Sequence, residues 1–165
     1  LWAGVEAAVE EALRELITMR KREGERLVAD LLLRTARLEE LVTLIEERAP
    51  SVPEHYRLQL LKRIEETLGR PAIDEARLAQ EVALFADRCS IAEETVRLRS
   101  HLGQLRGILE AEEGALGRKA DFILQEVNRE LNTIAAKAND LAIAQAVIEA
   151  KVEVEKIREQ VQNLE

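Results

Sequence analysis

Gly117-Arg118-Lys119-Ala120-Asp121-Phe122-Ile123-Leu124-Gln125-Glu126-Val127-Asn128-Arg129-Glu130-Leu131-Asn132-Thr133: the apolar residues of this stretch, Ile123, Leu124, Val127 and Leu131, with Ile134 just beyond, recur at helical spacing in one continuous arc. Asp121, Gln125, Asn128 and Asn132 fall at i, i+4, i+7 and i+11, so they share one flank of that arc. Asparagine is a poor helix former because its side chain competes for nearby backbone groups. A merely solvated face would more readily carry Glu and Lys. The stripe therefore reads as a site or as a polar seam between helices. Its oxygens suit a hard cation such as Mg²⁺ or Mn²⁺, and its amides can equally bond RNA bases or sugars. Arg129 lies beside the stripe within reach of a phosphate, whereas Glu126 and Glu130 are placed further round, toward solvent.

The helical period continues upstream. From Glu6 to Ala49 it is carried by Leu13, Leu16, Ile17, Leu27, Leu31, Leu38, Leu41, Leu44 and Ile45. An unbroken helix of that length is roughly 65 Å long. It must overhang a domain of this size, kink at Gly24, or pack on another chain. Pro50-Ser51-Val52-Pro53-Glu54 ends it, and Ser51 with Glu54 has capping-box spacing for a helix to about Leu68. Gly69-Arg70-Pro71 is the next connection, with Asp74 as candidate N-cap of a helix from Ala76 to Arg88. Ser90 and Glu93 repeat the capping-box spacing, which predicts a restart near Cys89 and a helix toward Glu110.

Glu113 to Gly117 reads as a turn and Arg118 to Lys137 as a helix. Asn139 or Asp140 then caps a last helix whose Ile143, Val147, Val154, Ile157 and Val161 form one stripe. No segment reads as a strand. The prediction is an all-α fold of long antiparallel helices, an extended hairpin or bundle. Residues 1–70 supply a long arm and the following helix, and 71–165 supply the C-terminal helical region of the same unit.

Composition agrees and narrows the function. The 165 residues suit one domain, and 34% charged with 2% aromatic residues favours long helices over a β-rich domain. Trp2, Tyr56, Phe85 and Phe122 are too few and scattered for base stacking. A net charge of −8 argues against a generic nucleic-acid coat. It leaves room for a nuclease whose carboxylates hold divalent cations. Cys89 is the only cysteine, which fits a reducing cytosol, and no secretory signal or membrane-spanning run is present. Zinc spacings, phosphate-cradling glycine loops and Gly-x-Ser-x-Gly elbows are absent. The chain opens on Leu1 rather than Met, which suggests a piece of a longer protein.

Two further groups carry candidate chemistry. Glu94 and His101 lie seven residues apart on nearly one helix face, with Arg97 between them and displaced to one side. They border the stripe of Leu98, Leu102, Leu105 and Leu109. A histidine so placed can move a proton or bind a metal, and it can equally be a boundary residue bonded to a neighbour. Arg77, Glu81, Leu84 and Arg88 form another stripe. It reads as i,i+4 ion pairs contributing about 0.2–0.5 kcal/mol each. Alternatively Asp87 holds a cation and Arg88 a phosphate.

These residues also carry a resemblance. The run from Gly117 to Thr133, then Lys137-Ala138-Asn139-Asp140 and the ending Ile157-Arg158-Glu159-Gln160-Val161-Gln162-Asn163, resembles the C-terminal signature of the bacterial YicC/YloC endoribonuclease family. Met19-Arg20, Glu23-Gly24 and Asp30-Leu31 resemble an upstream family segment. Gln80-Glu81-Val82-Ala83, Ala86-Asp87-Arg88, Ile91, Glu93-Glu94, Arg97-Leu98 and Ser100-His101 resemble its central block. Ser90 and Ala136 depart from the usual Asp and Ser, and the family's N-terminal β-rich region is missing.

The resemblance implies cytoplasmic, hydrolytic cleavage of RNA with Mg²⁺ or Mn²⁺ by a homo-oligomer, six subunits when intact. Read with the residues above, metal is expected on Glu81, Asp87, Glu94 and Asp121, and RNA on Gln125, Asn128 and Asn132. His101, Arg88, Arg97 and Arg129 then serve catalysis. Hydrolysis needs these groups together, so His101 and the Asp121 stripe are expected to face one cleft with at least one of Glu81, Asp87 or Glu94. The Leu27–Ile45 stretch is expected to pack on a partner chain. The competing reading is a helical oligomerisation scaffold or adaptor whose RNA cutting needs the missing region.

Overall fold

The computed structural model describes residues 2–69, 73–111 and 116–162. Helix α1 (Trp2–Arg48) passes through a 3-10 turn (Ala49–Ser51) into α2 (Val52–Leu68); then follow α3 (Glu75–Cys89), α4 (Ala92–Glu110), α5 (Leu116–Lys137) and α6 (Leu141–Val161). Among the described residues there is no strand. The expected restart near Cys89 is present. Helix α5 begins at Leu116, slightly before the expected Arg118, and the rest of the expected turn, Glu113 to Ala115, lies outside the described residues.

Four segments build the bundle: α4, α5, α6 and the C-terminal half of α1, arranged in a ring in which α1 touches α4 and α6, and α5 touches α4 and α6. Their apolar stripes meet in one core containing Leu31, Leu38, Ile45, Leu98, Leu105, Leu124, Leu131, Ile134, Ile143 and Ile157, all at most 1% exposed. The registers follow from the ion pairs bordering each seam. Arg99 meets Glu46 at 2.7 Å and Arg106 meets Glu39 at 2.7 Å, so α1 and α4 are antiparallel. Arg34–Glu153 at 3.1 Å and Arg48–Asp140 at 3.0 Å set α1 antiparallel to α6. Such partly exposed pairs contribute about 0–1 kcal/mol each. They select a register; the core supplies the stability.

This packing corrects one expectation and selects among the three alternatives for α1. Leu31, Leu38, Leu41, Val42 and Ile45 are covered by helices of their own chain, so the Leu27–Ile45 stretch does not need a partner. Helix α1 also runs through Gly24 without a break. It resolves its excess length by overhang: α4, α5 and α6 have 19, 22 and 21 residues against its 47.

Capping explains the smaller differences. Asp74 caps α3 by accepting from Ala76 and Arg77 N–H, and Asp140 caps α6 by accepting from Ile143 N–H at 3.1 Å, both as predicted. Ser51 does not cap. Its backbone stays right-handed helical (φ −84°, ψ −12°) because α1 passes into α2 without an extended residue, and its hydroxyl donates to the Arg48 carbonyl instead. Ser90 is the extended residue that ends α3, and Ile91 opens α4 without a side-chain cap. Asn139, at φ 42°, takes the left-handed turn between α5 and α6, a conformation asparagine tolerates. Outside the bundle, α2 and α3 form a hairpin with Tyr56 and Phe85 stacked at 3.8 Å; Phe85 and Cys89 touch the core.

Candidate active site

Helix α5 has two polar flanks, one on each side of its core arc. Glu126, Glu130, Thr133 and Lys137 follow the flank toward α4; Asp121, Gln125, Asn128 and Asn132 follow the flank toward α6. The spacing is the same, displaced by five residues. On the α4 side, Glu94 is 3% exposed; one of its oxygens, Oε1, accepts from Lys137 Nζ at 2.8 Å and Arg97 Nη2 at 3.2 Å. Arg97 Nε also donates to Glu130 at 3.0 Å, and Glu130 is only 7% exposed. The second Glu94 oxygen, Oε2, and His101 Nδ1 are buried without a hydrogen-bond partner. Unpaired buried polar atoms are uncommon and costly, and they concentrate where a structure serves something besides stability. His101 is half-buried, just over one turn along α4 from Arg97, and the register pairing Arg97 with Glu130 brings residue 126 level with it.

The charges of this flank are strongly coupled. Burial pushes the Glu94 carboxyl upward, but the Lys137 bond, a backbone bond and the nearby Lys137 and Arg97 charges outweigh it, and the net pKa is lowered. Asp140 is also lowered, chiefly by its Arg48 bond against the opposing effect of burial. A carboxyl with a depressed folded pKa adds stability at neutral pH that is lost as pH falls through the folded value. The urea midpoint is therefore expected to drop as pH is lowered from 7 through the carboxylate range. Glu94→Gln should flatten that decline, being weaker than wild type at pH 7 and equal to it in acid. An identical pH dependence for the variant would show that this cluster does not hold the charge described.

The α6 flank has another character. Arg158 Nε donates to Asp121 at 2.9 Å, Gln125 donates to the second Asp121 oxygen at 2.8 Å, and Lys151 Nζ donates to Asn132 at 2.9 Å. Here the stripe is a polar seam joining α5 to α6. The expected common cleft is thus not formed within one copy, because His101 and the Asp121 stripe lie on opposite flanks of α5. Arg129, three-quarters exposed, stands on the outer face between them. Glu81, Asp87 and Arg88 are exposed on α3 in the hairpin, where Glu81 accepts from Tyr56 Oη at 3.3 Å.

Two residues that complete the α4 flank escaped the sequence reading. Glu130 was expected toward solvent but is buried, because Arg97 reaches across from α4 and binds it. Lys137 was given no role. The signal was present: Glu130 and Lys137 share the i,i+7 spacing of Glu94 and His101, and antiparallel helices bring such pairs face to face.

The expected metal ligands Glu81, Asp87, Glu94 and Asp121 belong to three helices and do not converge. Among the described residues, no three His, Cys, Asp or Glu side chains are placed to hold a metal ion. The α4 flank nevertheless has the right donor chemistry for a hard cation. Glu93, Glu94 and Glu130 stand against Arg97 and Lys137, leaving an excess of carboxylate, and Glu94 Oε2 is buried with no hydrogen-bond partner. One copy supplies too few ligands.

The family description "Endoribonuclease YicC-like, C-terminal" matches residues 45–165, from the last turn of α1 through α6. The chain belongs to the YicC-like endoribonuclease family. It is 49% identical over 166 residues to a protein of Clostridioides difficile described as "Probable endoribonuclease YicC", covering 100% of this chain and 56% of that relative. A Haemophilus influenzae relative of the same description is 39% identical over 158 residues, 96% of this chain and 54% of the relative. The chain thus spans a little over half the length of these YicC-like relatives. Both flanks of α5 lie in the matched region, whereas most of α1 precedes it. Among the described residues no helix is long and apolar enough to cross a membrane.

Proposed function

We propose that this chain is the helical part of an endoribonuclease and that the α4–α5 flank is its catalytic edge. Family membership supports the reaction class. The carrying structural observation is the pair of buried carboxylates Glu94 and Glu130 bound by the partly exposed Arg97 and Lys137 on the flank that carries His101, with two buried polar atoms left unpaired. Arg97 and Lys137 are held by carboxylates yet each remains partly exposed, so they can face an approaching phosphate without moving far. His101 is the residue that exchanges a proton with the RNA. Arg129 grips the backbone from the neighbouring outer face.

Metal dependence enters at one atom. Glu94 Oε2 is the ligand offered to Mg²⁺ or Mn²⁺, with the remaining ligands lying outside the described residues of one copy. A divalent cation bound there would reverse the carboxylate excess and favour phosphate. A cytoplasmic site of action belongs to the same reading, since RNA and a reduced Cys89 are both found there.

The scaffold reading keeps one observation in its favour, the long overhang of α1. A circular RNA separates the two, because it becomes linear only by internal cutting. We expect linear product from a protein extended to its relatives' length, and its loss when His101 is replaced. If the extended protein leaves circles intact, the endoribonuclease reading fails. Cutting by the extended protein that His101 replacement does not affect removes the α4–α5 flank as the catalytic edge.

A further inference from the structure

Among the described side chains of α5, Phe122 is the large apolar one that the bundle leaves uncovered. It is 62% exposed, while Ile123, Leu124, Val127, Leu131 and Ile134 of the same helix are at most 7% exposed. Phenylalanine is a poorer helix former than lysine or glutamate, and a ring left in water adds nothing to the core. Tyr56 and Phe85 turn their ring faces on each other. Phe122 has no such ring partner among the described residues.

The neighbours of the ring select what it meets. Arg118, Phe122, Gln125 and Arg129 fall at i, i+4, i+7 and i+11, which places them on one ridge along the outer face of α5, between its two polar flanks. All four are exposed, and none is acidic. The ridge spans roughly 16 Å, long enough for several nucleotides. The acids on either side are already engaged: Arg158 binds Asp121 at 2.9 Å, and Arg129 lies 3.7 Å from Glu126. Arg118 and Arg158 also border an open cavity of about 360 Å³ at the N-terminal end of the ridge, room for a sugar-phosphate to leave the ring. A chain of net charge −8 thus sets cations and an amide around a single ring. A protein partner would call for a wider apolar patch. A ring between cations suits single-stranded nucleic acid, whose bases stack and whose phosphates pair.

We propose that Phe122 is a stacking platform for one base of single-stranded RNA, with Arg118 and Arg129 holding phosphates on either side. The platform rests on the endoribonuclease reading and gives it a substrate class: an unpaired segment, since a base inside a duplex has no free face to offer. Phe122 stands one turn along α5 from residue 126, the position level with His101. A base held on the ring therefore brings its adjoining sugar-phosphate to the catalytic edge. One platform suffices for this, because it fixes position along the strand rather than sequence, and a phenyl ring accepts every base.

The test compares two labelled probes, a short unstructured RNA and an abasic chain with the same number of phosphates, binding to the protein extended to its relatives' length. Fluorescence anisotropy gives the affinities, and circular dichroism confirms unchanged helicity. Phe122→Ala is expected to weaken the complete RNA by about 5- to 150-fold, the cost of one stacked base, and to leave the abasic chain unchanged. Phe122→Trp should keep the wild-type affinity, whereas Phe122→Leu, apolar but without a ring, should behave as the alanine variant does. Arg118→Gln should weaken both probes and reduce the slope of log affinity against log salt by about 0.7. Equal affinity of the wild type for the two probes overturns the platform, as does a Phe122→Ala variant that binds like the wild type or loses both probes alike. A fall in particle mass by light scattering, with RNA affinity unchanged, overturns it too and assigns the ring to a protein contact. Cutting of circular RNA by the same proteins tests the underlying reading separately. Cutting that depends on His101 and proceeds with an unaltered KM in Phe122→Ala sinks the platform alone; intact circles with ring-dependent binding sink the endoribonuclease reading and keep the platform.

Discussion

Replacing His101 with alanine in the protein extended to its relatives' length lowers RNA cleavage by about 10²- to 10⁴-fold, the range for a positioned proton carrier. Helicity and particle mass are expected to stay unchanged. The side chain lies at the border of the core rather than inside it, and His101 Nδ1 makes no hydrogen bond that folding would miss. His101 shares the α4 flank with Glu94, two turns away on the same helix. Glu94 is fixed by Lys137 and Arg97, so the α4 flank is held rigid by bonds from two helices.

The informative control is Asp121→Asn, which weakens the Arg158 contact on the opposite flank and should leave cleavage near the wild-type rate. Initial rates on a labelled circular RNA decide both. Wild-type cleavage by His101→Ala would make the histidine a boundary residue of the bundle. Loss of activity in Asp121→Asn with intact folding would return the site to the α6 flank.

The contrast between these flanks shows where the sequence was legible. The apolar arc of Ile123, Leu124, Val127, Leu131 and Ile134 fixes the helix and its buried face without outside information, because that face needs only the period. The helical class, the restart near Cys89 and the Asp74 and Asp140 caps follow from similarly local chemistry. What each polar flank meets is not local. Asp121, Gln125, Asn128 and Asn132 looked like a site because amides are unusual on a solvated helix. Asp121 finds Arg158 and Asn132 finds Lys151 on α6, some twenty to forty residues away in sequence, while Gln125 bonds Asp121. Glu130 looked solvated because nothing near it in sequence is its partner; Arg97, 33 residues upstream, buries it. Ser51 and Ser90 show the same limit at smaller scale. Their spacing matches a capping box, but Ser51 keeps a helical backbone and Ser90 stands one residue before the Ile91 cap position, so neither caps.

Leu38→Ala is expected to destabilise the bundle by about 2–5 kcal/mol, whereas Leu13→Ala, on the same face of the same helix, should change it by less than about 0.5 kcal/mol. The two substitutions are alike in chemistry and nearly neutral for the helix itself, since leucine and alanine are both good helix formers. They differ in what lies across the face. Leu38 is 1% exposed and covered by the bundle, so truncation leaves a cavity; Leu13 is 52% exposed on the overhang. Urea unfolding of the two variants beside the wild type measures this difference. Equal losses for both variants in the dilute limit would mean that the arm folds back onto its own chain. The overhang would then be covered, and Leu13 would not be the exposed side chain described.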